Sequence, residues 1–457
     1  MTQRQHIAVI DIGKTNAKLA LVDLASLNEV EVITRPNKTL PGPPYPHFNV
    51  EGHWAFLLDG LGKFNDPHGV DGISITTHGA AAALLDENGE LAAPILDYEF
   101  DGPDALWEEY RDFRPPFSET GSPQLAAGLN IGAQLFWQFT SDPGLRDRVE
   151  KLVTYPQYWG HRLTGNTATD LTSLGCHTDL WNPYEGKFSA LVAKLGLQGK
   201  IATSKPSNSI LGTLQPKLAN KIGLPASTPV YCGIHDSNAS LLPHLLRHKA
   251  PFSVLSTGTW VVAMSVGGEP VRLDPSLDTL INVNAHGQAV PSARFMGGRE
   301  HDLALKGKRK TPIPADIRNV LENQIMLLPS LAPETGPFKG FSPSWVGEEP
   351  QIGQGTRTAA VDFYLALVAA HCLELIGHDG AVIVEGPFAK NTCFLEMLAA
   401  ETEAEIIASQ QVTGTSQGAA LLARKIDLPE PAKSDQIYLT QDRCNRLQHY
   451  AQIWKSQ

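Results

Sequence analysis

The sequence predicts an α/β protein made of two related domains facing a cleft. Two observations carry that expectation. The chain has 457 residues, more than one hydrophobic core ordinarily serves. One arrangement also occurs twice. Ile7-Ala8-Val9-Ile10 and Leu19-Ala20-Leu21-Val22 enclose the polar octapeptide DIGKTNAK at 11–18, and Phe252-Ser253-Val254-Leu255 and Trp260-Val261-Val262-Ala263-Met264 enclose Ser256-Thr257-Gly258-Thr259. Short apolar runs bounded by polar turns read as buried strands, so each arrangement reads as a hairpin with a polar tip. No fixed-period repeat accompanies them. A hairpin recurring about half a chain later points to two related domains, with the division expected at 1–245 and 246–457.

The first tip is not a P-loop. That motif needs G-x-x-x-x-G-K-[ST] opening a helix, whereas here the second Gly is missing and a strand follows. The tip offers Asp11 at a strand end, Gly13 where backbone can approach a ligand, and the donors Lys14, Thr15 and Asn16. A carboxylate beside phosphate-reaching donors fits hydrated Mg2+ and a nucleotide. An ordinary hairpin turn fits the stretch equally well.

Composition excludes several classes. A formal charge of −11 gives no reason to expect nucleic acid or an anionic membrane. The basic cluster Lys306-Gly307-Lys308-Arg309-Lys310 is short and reads as a solvated loop. The five Cys are scattered and lack C-x-x-C spacing, which fits reduced thiols in a cytoplasmic protein and not a disulfide framework or zinc site. The N-terminus lacks the apolar core of a signal peptide. The most apolar segment, 363–376, is too short to span a bilayer and reads as a buried helix. A homodimer is compatible with all of this.

Along the chain, 30–34 is expected to extend the first hairpin into a meander, and the Pro-rich run 41–46 to be a loop. A short helix at 54–64 precedes a strand at 70–75. That strand ends in Thr76-Thr77-His78-Gly79, where open α/β sheets place ligand contacts. Asn88-Gly89 signals a hairpin over 84–91. From 104 to 197 the pattern is helical, with Tyr158 to Gly165 closing on a C-terminal Gly. The strand 228–234 delivers His235-Asp236-Ser237-Asn238 into a helix running towards Leu246; Asp there is first of all a helix-capping pattern. Residues 300–330 read as polar loop. Helices are expected at 361–377, 391–400, 419–424 and 438–454, and strands at 381–387 and 405–408.

Taken together, DIGKTNAK, GIHDSNAS at 233–240 and STGTW at 256–260 resemble the FGGY carbohydrate kinases, of the actin/hexokinase/heat-shock ATPase superfamily. The run LVTYPQYWGHRLTGNTATDLTS and the late TGTSQGAALLA extend the resemblance over nearly the whole chain. It implies two ribonuclease-H-like domains flanking a deep cleft, an N-terminal one for sugar and a C-terminal one for ATP. It implies that Asp11 holds Mg2+ through water with Asp236 as the second carboxylate near the metal. Gly13, Lys14, Thr15 and Asn16 would form the first phosphate loop, Gly258 and Thr259 the second, and Asp236 would be the general base. The adenosine loop of the family is rich in Gly and ends in Asn. Gly386 and Asn391 keep that pattern and Pro387 departs from it.

The chemistry is coherent without the family name. Phosphoryl transfer needs positioning, charge neutralisation and a destination for the attacking hydroxyl's proton. Within the family, His-Asp at the base and Ser-x-Gly-Thr-Trp at the second loop are similar to rhamnulokinases and fuculokinases, implying a 6-deoxy-ketohexose such as L-rhamnulose and a 1-phosphate product. Thr77, His78, Gly79, Tyr98 and His235 are the expected sugar contacts, with Asp236. The family's T-W-G-x-D reads Thr77-His78-Gly79-Ala80-Ala81 here, and its Asp-x-Arg contact is replaced by Asp97-Tyr98-Glu99. L-fuculose, a pentulose such as xylulose, or a polyol is therefore an alternative substrate. A nucleotide-gated sugar-binding regulator with weak catalysis is the alternative of another class.

Overall fold

A computed structural model describes residues 5–409, 414–424 and 435–457. The chain divides into two compact units. The first comprises Met1–Arg247, Ile281–Ala289 and Thr413–Leu428; the second comprises His248–Leu280, Val290–Val412 and Pro429–Gln457.

The first unit is built on a mixed sheet. β1 (His6–Ile12), β2 (Asn16–Asp23) and β3 (Glu29–Pro36) form an antiparallel meander, and β4 (Gly72–Thr77) runs parallel to β1. β5 (Ile210–Thr213) and β6 (Pro229–Tyr231) extend the sheet beyond β4, and β7 (Ile234–His235) also pairs with β4. β1 and β4 are buried on both faces, which is why they read as continuous Val/Ile-rich runs. Register then decides the chemistry. Asp11 lies beside Thr76, Ile12 beside Thr77, and His235 beside Thr77. Three strands thus end at one level and deliver the tip 13–15, the turn 78–79 and Asp236 to one edge.

The second unit repeats the plan. β8 (Phe252–Thr257) and β9 (Val261–Val266) form its hairpin. β10 (Ala289–Phe295) pairs with β9, and the parallel strands β11 (Ala381–Glu385) and β12 (Ile406–Ala408) lie beyond β8. The helix Gly355–Leu375 is buried along almost its whole length. It is long and apolar enough to cross a membrane by length and composition, but it serves as a core helix.

Several local expectations need correction. The helix at 54–64 is Val50–His68, because Asn49 caps it by accepting the Gly52 N–H. The hairpin over 84–91 reduces to a single Leu85–Leu91 bridge, and Ala82–Leu85 instead pairs with Lys151–Thr154. Residues 300–330 are not loop. They form the helices Gly297–Leu305 and Pro314–Glu322 and the strand Met326–Leu328. Pro314 occupies the first turn, Asp316 accepts the Ile313 N–H, and Val320 alone anchors that helix in the core, so the apolar stripe is too thin to be read. The late helix spans Thr415–Ala420, not 419–424, since the Gln417 side chain accepts the Gly414 N–H and starts it early. The terminal helix is Gln441–Lys455, capped by Thr440. Thr413, and the polar stretch from Leu428 to residue 434, lie outside the described residues.

Candidate active site

In the first unit the tip is fixed from behind. Gly13 N–H donates to the Asn16 carbonyl at 2.9 Å, which closes the turn. Asn37 clamps it twice: its N–H reaches the Thr15 carbonyl and its side-chain amide the Gly13 carbonyl, each at 2.8 Å. His53, fully buried, donates Nε2–H to Asn37 Oδ1 at 2.7 Å, and burial pushes its pKa down to about 4. Neither Asn37 nor His53 was singled out from sequence, because nothing local marks a clamp.

Asp11 is 8% exposed, and its Oδ2 accepts hydroxyls from Thr415 at 2.5 Å and Ser416 at 2.8 Å, with Lys18 Nζ at 3.5 Å. Its Oδ1 has no protein partner among the described residues. This donor set fits a hydrated divalent cation. A held carboxylate presents one oxygen, the kind of ligand that a hydrated divalent cation takes. Lys14 departs from the expected phosphate-loop role. Its ammonium pairs with Asp97 and, at 3.2 Å, with Glu99, over the rings of Tyr98 and Phe48. Asp97 and Glu99, which stand where a sugar contact was missed, therefore hold the tip's cation.

The turn after β4 is mostly buried. Thr77 donates to the His78 carbonyl. His78 Nδ1 lies 2.7 Å from the Gly79 carbonyl, which can only accept, so Nδ1 carries the proton and Nε2 presents a lone pair. That Nε2 is buried and unpartnered among the described residues. Burial pushes the ring down to about 4, so it is neutral. Phe48, Tyr98 and Tyr155 surround it at ring-centroid distances of 4.9, 5.1 and 5.1 Å. Gly79 must be Gly, since a β-carbon there would stand 2.5 Å from His235 Nε2. Ala80, Ala81 and Ala83 are buried in packing.

Asp236 opens the helix Asp236–Arg247. Its Oδ1 accepts the Ser237 N–H at 2.6 Å and lies 3.4 Å from His235 Nε2; Oδ2 has no partner among the described residues. His235 belongs to a buried group that sequence reading missed. Cys176 lies beside His177, 3.2 Å away, and beside His235. Burial opposes charge on both partners, but the imidazoles hold the thiol's pKa down while Cys176 and Asp236 hold that of His235 up. A lone Cys in sequence carries no such signal.

In the second unit, Gly258 N–H donates to the Trp260 carbonyl at 2.9 Å, closing the same kind of turn, and Thr259 is exposed. Two glycines press against this tip. A β-carbon on Gly298 would stand 2.1 Å from the Gly258 carbonyl oxygen, and one on Gly386 (φ +83°) would stand 1.9 Å from that of Thr257. Trp260 is half-buried beneath Arg294, 5.0 Å from its ring centre, and so is not a core residue. Asn391 caps the helix Thr392–Thr402 by accepting the Phe394 N–H, so it has a structural duty beside any nucleotide contact. Pro387–Lys390 forms a short 3-10 turn where the Gly-rich loop was expected.

Two hairpin-led α/β units with these tips define a sugar-kinase-like fold. Residues 6–243 match the FGGY family of carbohydrate kinases, N-terminal domain, and residues 249–432 match carbohydrate kinase FGGY, C-terminal domain. The chain belongs to the FGGY carbohydrate kinase family. It superposes on the crystal structure of a carbohydrate kinase from Novosphingobium aromaticivorans with a TM-score of 0.90 and 34% identity, covering 99% of this chain and 98% of that one. It is 30% identical to an L-fuculokinase of Salmonella typhi over 203 residues, 44% of this chain and 42% of that protein. It is 27% identical to the L-fuculokinase of Escherichia coli (strain K12) over 283 residues, 57% of each. The matches thus span about half the length of these curated relatives.

Proposed function

We propose that this protein transfers the γ-phosphoryl group of ATP to a ketose, with 6-deoxy-ketohexoses as the substrate class and the 1-hydroxyl as acceptor. One observation carries the reading: a carboxylate with a free oxygen, Asp236, stands close enough to influence a buried, neutral acceptor nitrogen on His78, which is walled by aromatic rings. His78 Nε2 would accept a sugar hydroxyl, and the wall of Phe48 and Tyr155 suits a methyl group better than a hydroxymethyl group. Tyr98 and Gly79 complete the sugar contacts, with Thr77 and His235 holding the turn and the base in register. Asp236 takes the proton from the attacking hydroxyl through Oδ2. On the nucleotide side, backbone N–H groups at Gly13 to Asn16 and at Gly258 and Thr259 would receive phosphate oxygens, and Gly386 and Asn391 the nucleoside. Asp11, with Asp236, would hold hydrated Mg2+, which when bound neutralises charge on the phosphates. The first unit then serves the sugar, the base, the metal ion and part of the phosphate chain, and the second the rest of the nucleotide.

L-rhamnulose and L-fuculose both carry the methyl group that this wall would accept. The names of the two relatives make L-fuculose the first sugar to test. The experiment is a thermal-shift panel of L-fuculose, L-rhamnulose, L-xylulose and glycerol with an Mg-ATP analogue, followed by ADP-coupled turnover. We expect at least about 10-fold higher kcat/KM on a 6-deoxy-ketohexose than on the pentulose, since an apolar wall discriminates a group of this size by roughly 1–3 kcal/mol. Preference for the pentulose or glycerol would overturn the sugar class. Thermal shifts without turnover on any sugar would favour a sugar-binding regulator, the outcome that Pro387 in the nucleoside loop would explain.

A further inference from the structure

A cavity in the first unit is lined by neither Asp236 nor His78. It has a volume of about 600 Å³, room for a small organic molecule. Its polar lining is cationic and donor-rich, with Lys205, His286, Arg424 and Ser204, and no Asp or Glu lines it among the described residues. Two of these groups are waiting for an acceptor. Arg424 Nη1 and Ser204 Oγ are buried with no hydrogen-bond partner among the described residues, and a buried donor left unpaired is costly. Arg247 adds a second guanidinium whose Nε is also buried and unpartnered among the described residues, and burial first, then like-charge repulsion from Arg424, holds its pKa down. The opposite wall is apolar, formed by Leu242, Leu246, Leu421 and Leu422.

We propose that this cavity is a second ligand site, for a small phosphorylated or otherwise dianionic molecule carrying a less polar body. The donors and the unbalanced positive charge select the anion. The leucine wall selects the body.

The lining elements give the site a consequence. Leu242 and Leu246 lie on the helix that begins with Asp236. Leu421 and Leu422 follow directly on the helix whose Thr415 and Ser416 hold Asp11. Leu171 opens the turn whose Thr172 hydroxyl accepts the His235 N–H at 3.0 Å. Each of the three elements that position candidate catalytic groups also lines the cavity, so an occupant can bias them. Linkage requires such an effect on binding to be reciprocal.

The test uses the full chain and phenyl phosphate as probe, with inorganic phosphate alongside to separate anion recognition from the contribution of the body. Binding is followed by calorimetry in the wild type, in Arg424→Gln and in Leu246→Trp, which fills the cavity without touching its charges. Affinity for an Mg-ATP analogue is measured in all three. We expect phenyl phosphate to bind the wild type more tightly than inorganic phosphate. Both variants should lose at least 10-fold in phenyl phosphate affinity while keeping the ATP analogue within twofold. Equal phenyl phosphate binding in all three proteins would overturn the site, as would no binding to the wild type at millimolar concentration. The binding arm does not depend on the protein being a kinase.

Discussion

The two hairpin tips have the same backbone and different surroundings. Each closes with one N–H to carbonyl bond of 2.9 Å, from Gly13 to Asn16 and from Gly258 to Trp260. The first tip is wired with side chains: Asp11 is held by Thr415 and Ser416, Asn37 is a clamp, and Lys14 is held by Asp97 and Glu99. The second is backed by glycines, with Gly298 and Gly386 against its main chain. One scaffold thus presents two kinds of surface. Side-chain charge suits a metal ion and a reacting hydroxyl, while bare main chain suits phosphate oxygens, where a β-carbon would be in the way.

The largest expected effect breaks this division at its charged end. Asp236→Asn keeps the size and the contact with Ser237 but cannot take a proton. Turnover should fall at least about 100-fold, the lower end for a general base, with sugar affinity unchanged in calorimetry. Turnover near that of the wild type would remove Asp236 from the role.

At the glycine-backed end, Gly386→Ala places a β-carbon 1.9 Å from the Thr257 carbonyl oxygen at φ +83°. We expect a loss of roughly 2–3 kcal/mol in chemical denaturation from strain alone, together with weakened ATP-analogue binding. Gly13→Ala is the matched control. Its β-carbon would meet only the Asn16 carbonyl oxygen, at 3.4 Å, so stability should change by well under half of that amount. Equal losses in the two variants would dissolve the contrast drawn here.

A smaller effect is expected from the clamp. Asn37→Ala removes both side-chain contacts, to Gly13 and from His53. It should cost about 1–2 kcal/mol of stability and raise KM for Mg-ATP several-fold with KM for the sugar little changed. A rise confined to the sugar would place the tip on the wrong side of the reaction.

The tips were legible in sequence because each is bounded by short, largely apolar runs that form buried strands, and the His235-Asp236 junction because a Gly and a polar run follow such a strand. Their supports were not. Thr415 and Ser416 reach Asp11 across more than four hundred residues, and Asn37 and His53 act through one shared hydrogen bond that no spacing announces. Residues 300–330 read as loop because the helices there have largely polar faces, and in the second of them only Val320 is buried. Lys14 was assigned by its place in the tip, but its length let two carboxylates downstream decide where its charge went.

The comparison extends to buried titrating groups: His53 and His78 of the first unit and Asp362 of the second have pH dependence of opposite sign. In the first, His53 and His78 sit at about 4 against 6.5 when unfolded. The unfolded chain binds more protons in that window, so stability is lost as pH falls from 6.5 towards 4. In the second, Asp362 is fully buried, with the Asn391 side chain and, at 3.9 Å, His301 Nε2 as its polar neighbours. Burial pushes it up to about 7 from 3.8, with Asn391 and Arg309 only partly offsetting the shift. Here the folded chain binds the extra proton, so stability is lost as pH rises from about 4 through 7. Asp362→Asn removes that ionisation without changing shape. At pH 8 it should stabilise the protein by about 1–2 kcal/mol, less than the full shift would give because the new amide needs partners of its own. At pH 5, near the start of that window, the stabilisation should be clearly smaller, because the unfolded carboxylate has begun to ionise while the folded one has not. Urea titrations at the two pH values measure both numbers. A stabilisation as large at pH 5 as at pH 8 would mean that Asn packs better than Asp there, and that ionisation of Asp362 is not what limits the second unit.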